Sequence, residues 1–159
     1  MPPVASKGSE RWRSAAPFMV LAVLAVVAGG LVSAVLAHAP TRPAMWLVAY
    51  LVLVVGVTQF GLGAGQAWLA RTPPSAGLRV VECGLLNAGN GLVVAGTLAG
   101  QSAWVSVGAL SLVAALVLFF FGVRRGPGRP LLHAYRAMVL LVGTSALVGV
   151  LLATLRANG

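Results

Sequence analysis

Residues 15–37 read AAPFMVLAVLAVVAGGLVSAVLA, a stretch without a single charged side chain. An α-helix needs about 20 consecutive apolar residues to cross the hydrocarbon core of a bilayer. Four further stretches of similar character follow, over residues 44–70, 78–99, 103–123 and 131–155. The sequence therefore predicts an all-α protein with five transmembrane helices in one compact bundle over residues 15–159. A basic tail over residues 1–14 is expected to precede it.

The composition of the whole chain points to the same class. Of its 159 residues, 59% are hydrophobic and only 8% are charged, and the mean hydropathy is +0.96. A soluble domain is about 45–50% apolar and about 25% charged. Because so few charged side chains cannot cover a water-facing surface, we expect lipid to be the main solvent and the protein to be a multi-pass membrane protein.

The positions of the basic residues predict how the chain is threaded. Positively charged loops are retained on the cytoplasmic side of a membrane. Nine of the eleven lysines and arginines fall in the N-terminal tail and in alternate connections: Lys7, Arg11, Arg13, Arg71, Arg79, Arg124, Arg125, Arg129 and Arg136. This pattern predicts a cytoplasmic N-terminus and an external C-terminus.

The net charge of +9 is divided among short loops instead of being gathered on one folded face. Such a distribution favours anionic lipid headgroups at the cytoplasmic face as the partner, and not nucleic acid. The surplus of Arg, Ala, Gly and Val is typical of GC-rich bacterial genomes. We therefore expect the bacterial cytoplasmic (inner) membrane.

Small residues spaced four apart recur in the apolar stretches, and in lipid such residues allow two helix backbones to approach closely. The principal candidates for this interface packing are Ala25, Gly29, Ser33, Gly61, Gly65, Gly96 and Gly100. Further pairs are Gly84 with Ala88, Ser111 with Ala115, and Ser145 with Gly149. Their presence in every stretch predicts a compact bundle.

Six polar residues lie inside the second and third stretches and form a candidate intramembrane ladder: Gln59, Gln66, Glu82, Asn87, Asn90 and Thr97. The two glutamines are seven residues apart and share one helix face. The connection between the two stretches is short, which predicts antiparallel neighbours. When the chain folds back at that connection, positions at equal distances from it lie at the same depth in the membrane. Gln66 is then level with Glu82, and Gln59 is level with Asn90.

Two further features of the third stretch concern the charge partner of Glu82 and the helical winding around Asn90. Arg79 precedes Glu82 by three residues and is a candidate charge partner for it. The run NAGNG over residues 87–91 leaves open a locally unwound helix whose carbonyl groups face a cavity, although a regular helix is the favoured reading.

Enzymatic chemistry has little support in this sequence. The chain has no aspartate, a single cysteine, and two histidines, His38 and His133, that the predicted threading places on opposite sides of the membrane. We therefore predict no catalytic residues, no metal site and no cofactor, and expect the protein not to be an enzyme.

Three functions stay open. The leading one is a structural or accessory subunit of a larger membrane protein complex, or a homo-oligomer, because packing motifs occur throughout and the loops are minimal. The alternative is a small transporter or proton-linked channel that uses the carboxylate of Glu82 with Gln59 and Asn90, since ionisable residues inside a span are costly and usually functional. The third is a quinone- or lipid-binding membrane module.

Overall fold

The computed structural model describes residues 4–123 and 130–157, with side chains over residues 8–123 and 130–151. The described residues are helical and contain no strand. The helices are α1 (Val4–Val35), α2 (Arg42–Ala49), a π-helical segment (Tyr50–Thr58), α3 (Gln59–Leu69), α4 (Ala76–Ala99), α5 (Ser102–Val123) and α6 (Pro130–Ala157).

The second apolar stretch is one uninterrupted rod, because α2, the π segment and α3 follow one another with helical backbone angles at both junctions. We call this rod the second span, Arg42–Leu69. With α1, α4, α5 and α6 it makes five helices that are long and apolar enough to cross a membrane. The all-α prediction and the number of long apolar helices are therefore confirmed.

The predicted basic tail is not separate from the first helix, because α1 begins at Val4. Arg11 explains the extension: its Nη1 donates to the carbonyls of Ala67 at 3.2 Å and Trp68 at 3.1 Å, at the end of α3. These carbonyls end their helix and have no partner within it. The N-terminal turns of α1 are thus held against the second span. Lys7 lies outside the described side chains, as does Arg156, and Arg124, Arg125 and Arg129 lie outside the described residues.

Side-chain and glycine caps fix the helix ends near the connections. The Thr41 hydroxyl accepts from the Ala44 N–H at 3.3 Å, and the Ser75 hydroxyl accepts from the Leu78 N–H at 3.2 Å. Gly100 ends α4 with φ of 68°, in the left-handed region that favours glycine. A Cβ there would meet nothing within 4 Å. Gly100 therefore terminates a helix and makes no packing contact with another described helix of this chain.

Close backbone approach joins α4 to α5. A Cβ at Gly108 would lie 2.7 Å from the carbonyl oxygen of Gly89. A Cβ at Gly96 would lie 2.8 Å from the backbone nitrogen of Val105. Only glycine fits at these crossings, so Gly96 lies in a helix contact.

The first helix packs along the second span. Ala25 and Gly29 are buried there, and a Cβ at Gly29 would lie 2.8 Å from a methyl group of Val52. Ser33, the third member of this row, is exposed. The row therefore contacts the second span at Ala25 and Gly29. It does not do so at Ser33, because that side chain is exposed.

Two glycines of α3, Gly61 and Gly65, face α6. A Cβ at Gly61 would lie 3.0 Å from the sulfur of Met138, and one at Gly65 would overlap the ring of Tyr135. The backbone of α3 packs on α1, α5 and α6 more than on α4. The sequence predicted that the second span packs directly on α4. In the structure, polar side chains make the contacts between them instead. A buried apolar cluster joins all five long helices and includes Phe18, Leu62, Leu86, Phe119 and Tyr135.

Helical irregularity occurs in a different place from the one that the sequence left open. The NAGNG run lies inside the continuous helix α4, and the nine residues Tyr50–Thr58 adopt π-helical winding instead. The hydroxyl of Thr58 donates to the carbonyl of Leu53, five residues earlier, at 3.0 Å. A π-helical segment is rare, is usually a single turn, and is frequent at functional sites.

Candidate functional site

A buried carboxyl group forms the centre of the polar interior. Glu82 is 0% exposed and Gln66 is 2% exposed. The Gln66 amide, Nε2, donates to Glu82 Oε1 at 2.7 Å. The second oxygen, Oε2, has no hydrogen-bond partner among the described residues. The structure therefore brings together the two residues that the short connection places level.

Gly122 on α5 makes room for this pair. A Cβ at that position would lie 2.8 Å from Gln66 Nε2. The amide of Gln66 is thus held between the carboxyl of Glu82 on α4 and the backbone of α5. Sequence reasoning missed Gly122, because its only signal is a glycine near the end of an apolar stretch.

Arg79 does not pair with Glu82, so the predicted charge partner is wrong. Its Nη1 donates to the carbonyl of Arg13 on α1 at 3.2 Å, while its Nε is buried without a partner. The spacing of three residues allows an ion pair along one helix. Contact with α1 directs the guanidinium elsewhere, so Arg79 does not neutralise the carboxyl of Glu82.

A second polar bridge joins the π segment to α4. Tyr50 Oη donates to Asn90 Oδ1 at 2.8 Å, and Asn90 is 4% exposed. The expected pairing of Gln59 with Asn90 is not formed. Gln59 is 0% exposed, and both polar atoms of its amide lack a hydrogen-bond partner among the described residues.

The remaining members of the expected ladder do not join these two bridges. Asn87 Nδ2 donates to the carbonyl of Cys83 within its own helix at 2.9 Å. Thr97 is exposed and lines a cavity. The ladder therefore reduces to a Tyr50–Asn90 bridge, the unpartnered amide of Gln59, and the Gln66–Glu82 bridge.

The cavity has a volume of about 830 Å³ and lies between the second span, the α4–α5 hairpin and α6. We call it the interhelical cavity. It is near the α4–α5 turn, and its wall includes the stacked rings of Trp46 and Tyr50, whose centroids are 5.1 Å apart. Its described lining contains no charged side chain. Tyr50 connects the cavity to the polar interior, because the same hydroxyl donates to Asn90.

The chemistry available in the described part of the chain is hydrogen bonding and charge placement. Among the residues that the structure describes, no group of three or more His, Cys, Asp or Glu side chains could hold a metal ion. Comparison with known protein families, with curated proteins and with solved structures finds no match to this chain.

Proposed function

We propose that this chain is a non-enzymatic, multi-pass protein of the bacterial cytoplasmic membrane that serves as a structural or accessory subunit of a larger membrane complex. The outward face of α4 is the observation that supports this proposal. That face carries small residues and is not covered by any described part of the chain: Gly77, Gly84, Ala88, Gly91 and Ala95. We call it the small-residue face.

At about 100° per residue these five positions fall within an arc of about 60°. They are all exposed, and a Cβ at Gly77, Gly84 or Gly91 would meet nothing within 4 Å. The opposite side of α4 carries Glu82 and Asn90 into the interior. Large apolar side chains pack against lipid tails as well as small ones do, so contact with lipid does not require small residues. A small-residue face, in contrast, lets a second helix approach to backbone contact. A transmembrane helix of a partner subunit is the occupant that fits it.

The orientation proposed is a cytoplasmic N-terminus. Arg13 and Arg71 are exposed at the end of the bundle where Trp12 packs edge-to-face against Trp68. Exposed arginines beside boundary aromatics are suited to anionic headgroups, and positive charge favours the cytoplasmic side.

Measurement of the assembled mass tests the subunit proposal. The chain is expressed in bacteria, extracted in mild detergent and examined by native mass spectrometry, with the variants Gly84→Leu and Gly91→Leu. Both glycines face open space, so leucine leaves the fold of the single chain intact. Gly30→Leu on α1 is the matched control, because Gly30 also faces open space.

We expect the native chain and the Gly30→Leu control to be detected as a complex of defined mass. Both α4 variants should be detected without that complex. A mass equal to two or more copies of this chain identifies a homo-oligomer instead of a heteromeric partner. A native chain that is a single, unassociated copy in every mild detergent contradicts the proposal.

A second function, proton-linked transport, is favoured by the unpartnered polar atoms. Among the described residues, Gln59 has two such atoms and Glu82 has one, all buried. An amide left without a hydrogen bond in an apolar interior is costly, and water molecules commonly occupy such positions. Hydration there would extend from the Tyr50–Asn90 bridge to the carboxyl of Glu82.

Flux measurements in liposomes separate this function from a scaffold. Glu82→Gln keeps an acceptor for Gln66 and removes the exchangeable carboxyl proton. Glu10→Gln is the control, because Glu10 is the only other acidic residue and is exposed. Proton flux that is lost only in Glu82→Gln supports transport. No flux above that of empty liposomes in the native protein contradicts it.

A further inference from the structure

The interhelical cavity differs from the polar interior in its shape and lining. Its volume of about 830 Å³ lies within the range of about 300–1,000 Å³ that is usual for small-molecule sites. Its walls come from three separate parts of the fold, and the widened π segment supplies Tyr50, Val54 and Thr58. The packing of the single chain leaves this volume unfilled.

The hydroxyl groups of the cavity are distributed unevenly. The deeper ones already donate: Thr58 to the carbonyl of Leu53, Ser145 to the carbonyl of Leu141, and Tyr50 to Asn90. Within the described part of the chain, the hydroxyls of Thr97 and Ser102 at the α4–α5 turn donate no such bond. Free hydrogen-bonding capacity is therefore concentrated at one end of the cavity.

The other end of the cavity is apolar. Ala109, Leu112, Leu141 and Val142 line it, roughly halfway along their helices. No charged side chain among the described residues lines the cavity, so a charged occupant would lose its hydration without gaining an opposite charge from them. The occupant that fits is therefore uncharged, polar at the end near Ser102 and apolar at the end near Leu112.

We infer that the interhelical cavity binds a neutral membrane lipid, with its polar head at Thr97 and Ser102 and its apolar chain against Leu112 and Leu141. Quinones and acylglycerols share this chemistry. Trp46 and Tyr50 pack beside the head, as aromatic residues do at membrane boundaries. This inference does not depend on the small-residue face, which lies on the other side of α4.

Volume-filling variants test the inference directly. Gly149 lines the cavity, and a Cβ there would meet nothing within 4 Å. Gly149→Phe therefore adds a ring at the wall of the cavity, and its Cβ meets no other part of the protein. Gly30→Phe on α1 is the matched control, because it adds the same ring to open space outside the cavity.

The proteins are purified in nanodiscs of bacterial lipid, and the retained lipids are identified and counted by mass spectrometry. We expect about one neutral lipid per native chain, the same for Gly30→Phe, and its loss in Gly149→Phe. The mass of the retained species distinguishes a quinone from an acylglycerol. Equal retention by native protein and Gly149→Phe overturns the inference.

A second experiment tests the direction of the ligand. A neutral lipid with a photoreactive group at the end of its chain should label Leu112 and Leu141 and spare Ser102. Thr97→Val should weaken binding by about two- to twelvefold, the effect of one hydrogen bond of about 0.5–1.5 kcal/mol. Labelling spread evenly over exposed α1 residues such as Leu24 would show surface lipid only. Occupation of the cavity by a partner's helix, with no bound lipid, would also overturn the inference.

Discussion

The buried bridge between Gln66 and Glu82 makes the sharpest prediction about stability. Replacing Gln66 by Leu leaves a fully buried carboxyl without its one donor, since Oε2 already lacks a partner. An unsatisfied buried group costs about 1–3 kcal/mol, and more when it is charged. Glu82→Leu leaves the amide of Gln66 unpaired and should cost a similar amount.

The double variant, with Leu at both positions, separates the bond from the loss of the two side chains. Hydrogen bonds between membrane helices contribute about 0.6–2 kcal/mol. We therefore expect the double variant to be more stable than the sum of the single effects predicts, by about 0.6–2 kcal/mol.

Gln59→Leu is the matched control, because Gln59 lies on the same helix, is equally buried and has no hydrogen bond among the described residues. Leucine there removes an unpaired amide, so the free energy of unfolding should be unchanged or should rise. The assay is unfolding in mixed micelles titrated with sodium dodecyl sulfate, followed by far-ultraviolet circular dichroism. A coupling below about 0.3 kcal/mol, the usual limit of additivity, would refute the bridge, as would equal destabilisation by Gln59→Leu and Gln66→Leu.

The remaining predictions concern backbone contacts and the second bridge. Gly108→Ala drives a methyl group into the backbone of α4 and should lower the unfolding free energy by about 1–3 kcal/mol; Gly91→Ala, in open space, should not lower it. Gly100→Ala should lower the free energy of unfolding by about 1–2 kcal/mol in the same assay, because Gly100 has a left-handed backbone conformation. A decrease of less than about 0.5 kcal/mol would contradict the role of Gly100 as a helix cap. Tyr50→Phe should lower stability by about 0.6–2 kcal/mol through the loss of the bond to Asn90, and an unchanged midpoint would argue against that bond.

Much of the architecture could be predicted because it depends on local properties. The length and apolarity of a stretch decide whether it forms a helix long enough to cross a membrane. Depth along the bundle is similarly local, since a short connection and a rise of about 1.5 Å per residue place Gln66 level with Glu82. The observed bridge between these residues follows from that arithmetic.

The rotation of each helix about its axis, and the helices that it packs against, depend on contacts between segments that are far apart in the sequence. The predicted pairing of Gln59 with Asn90 assumes regular α-helix from Tyr50 onward, and the π segment changes the direction of each side chain along it. Tyr50 bonds to Asn90 in consequence, and Gln59 is left unpaired. Arg79 likewise could reach Glu82 along its own helix, but it bonds to α1, which the sequence of α4 does not reveal.

The sequence by itself determined that the protein is all-α, with five long apolar helices and two polar stretches matched in depth, because these depend on composition, length and connection. Only the tertiary structure decided which polar groups meet, that α4 turns its small residues outward, and that a cavity stays open beside the π segment. The physical reason is that apolar helices can pack in many rotations at similar burial. Close glycine contacts such as Gly89 against Gly108 select one of them.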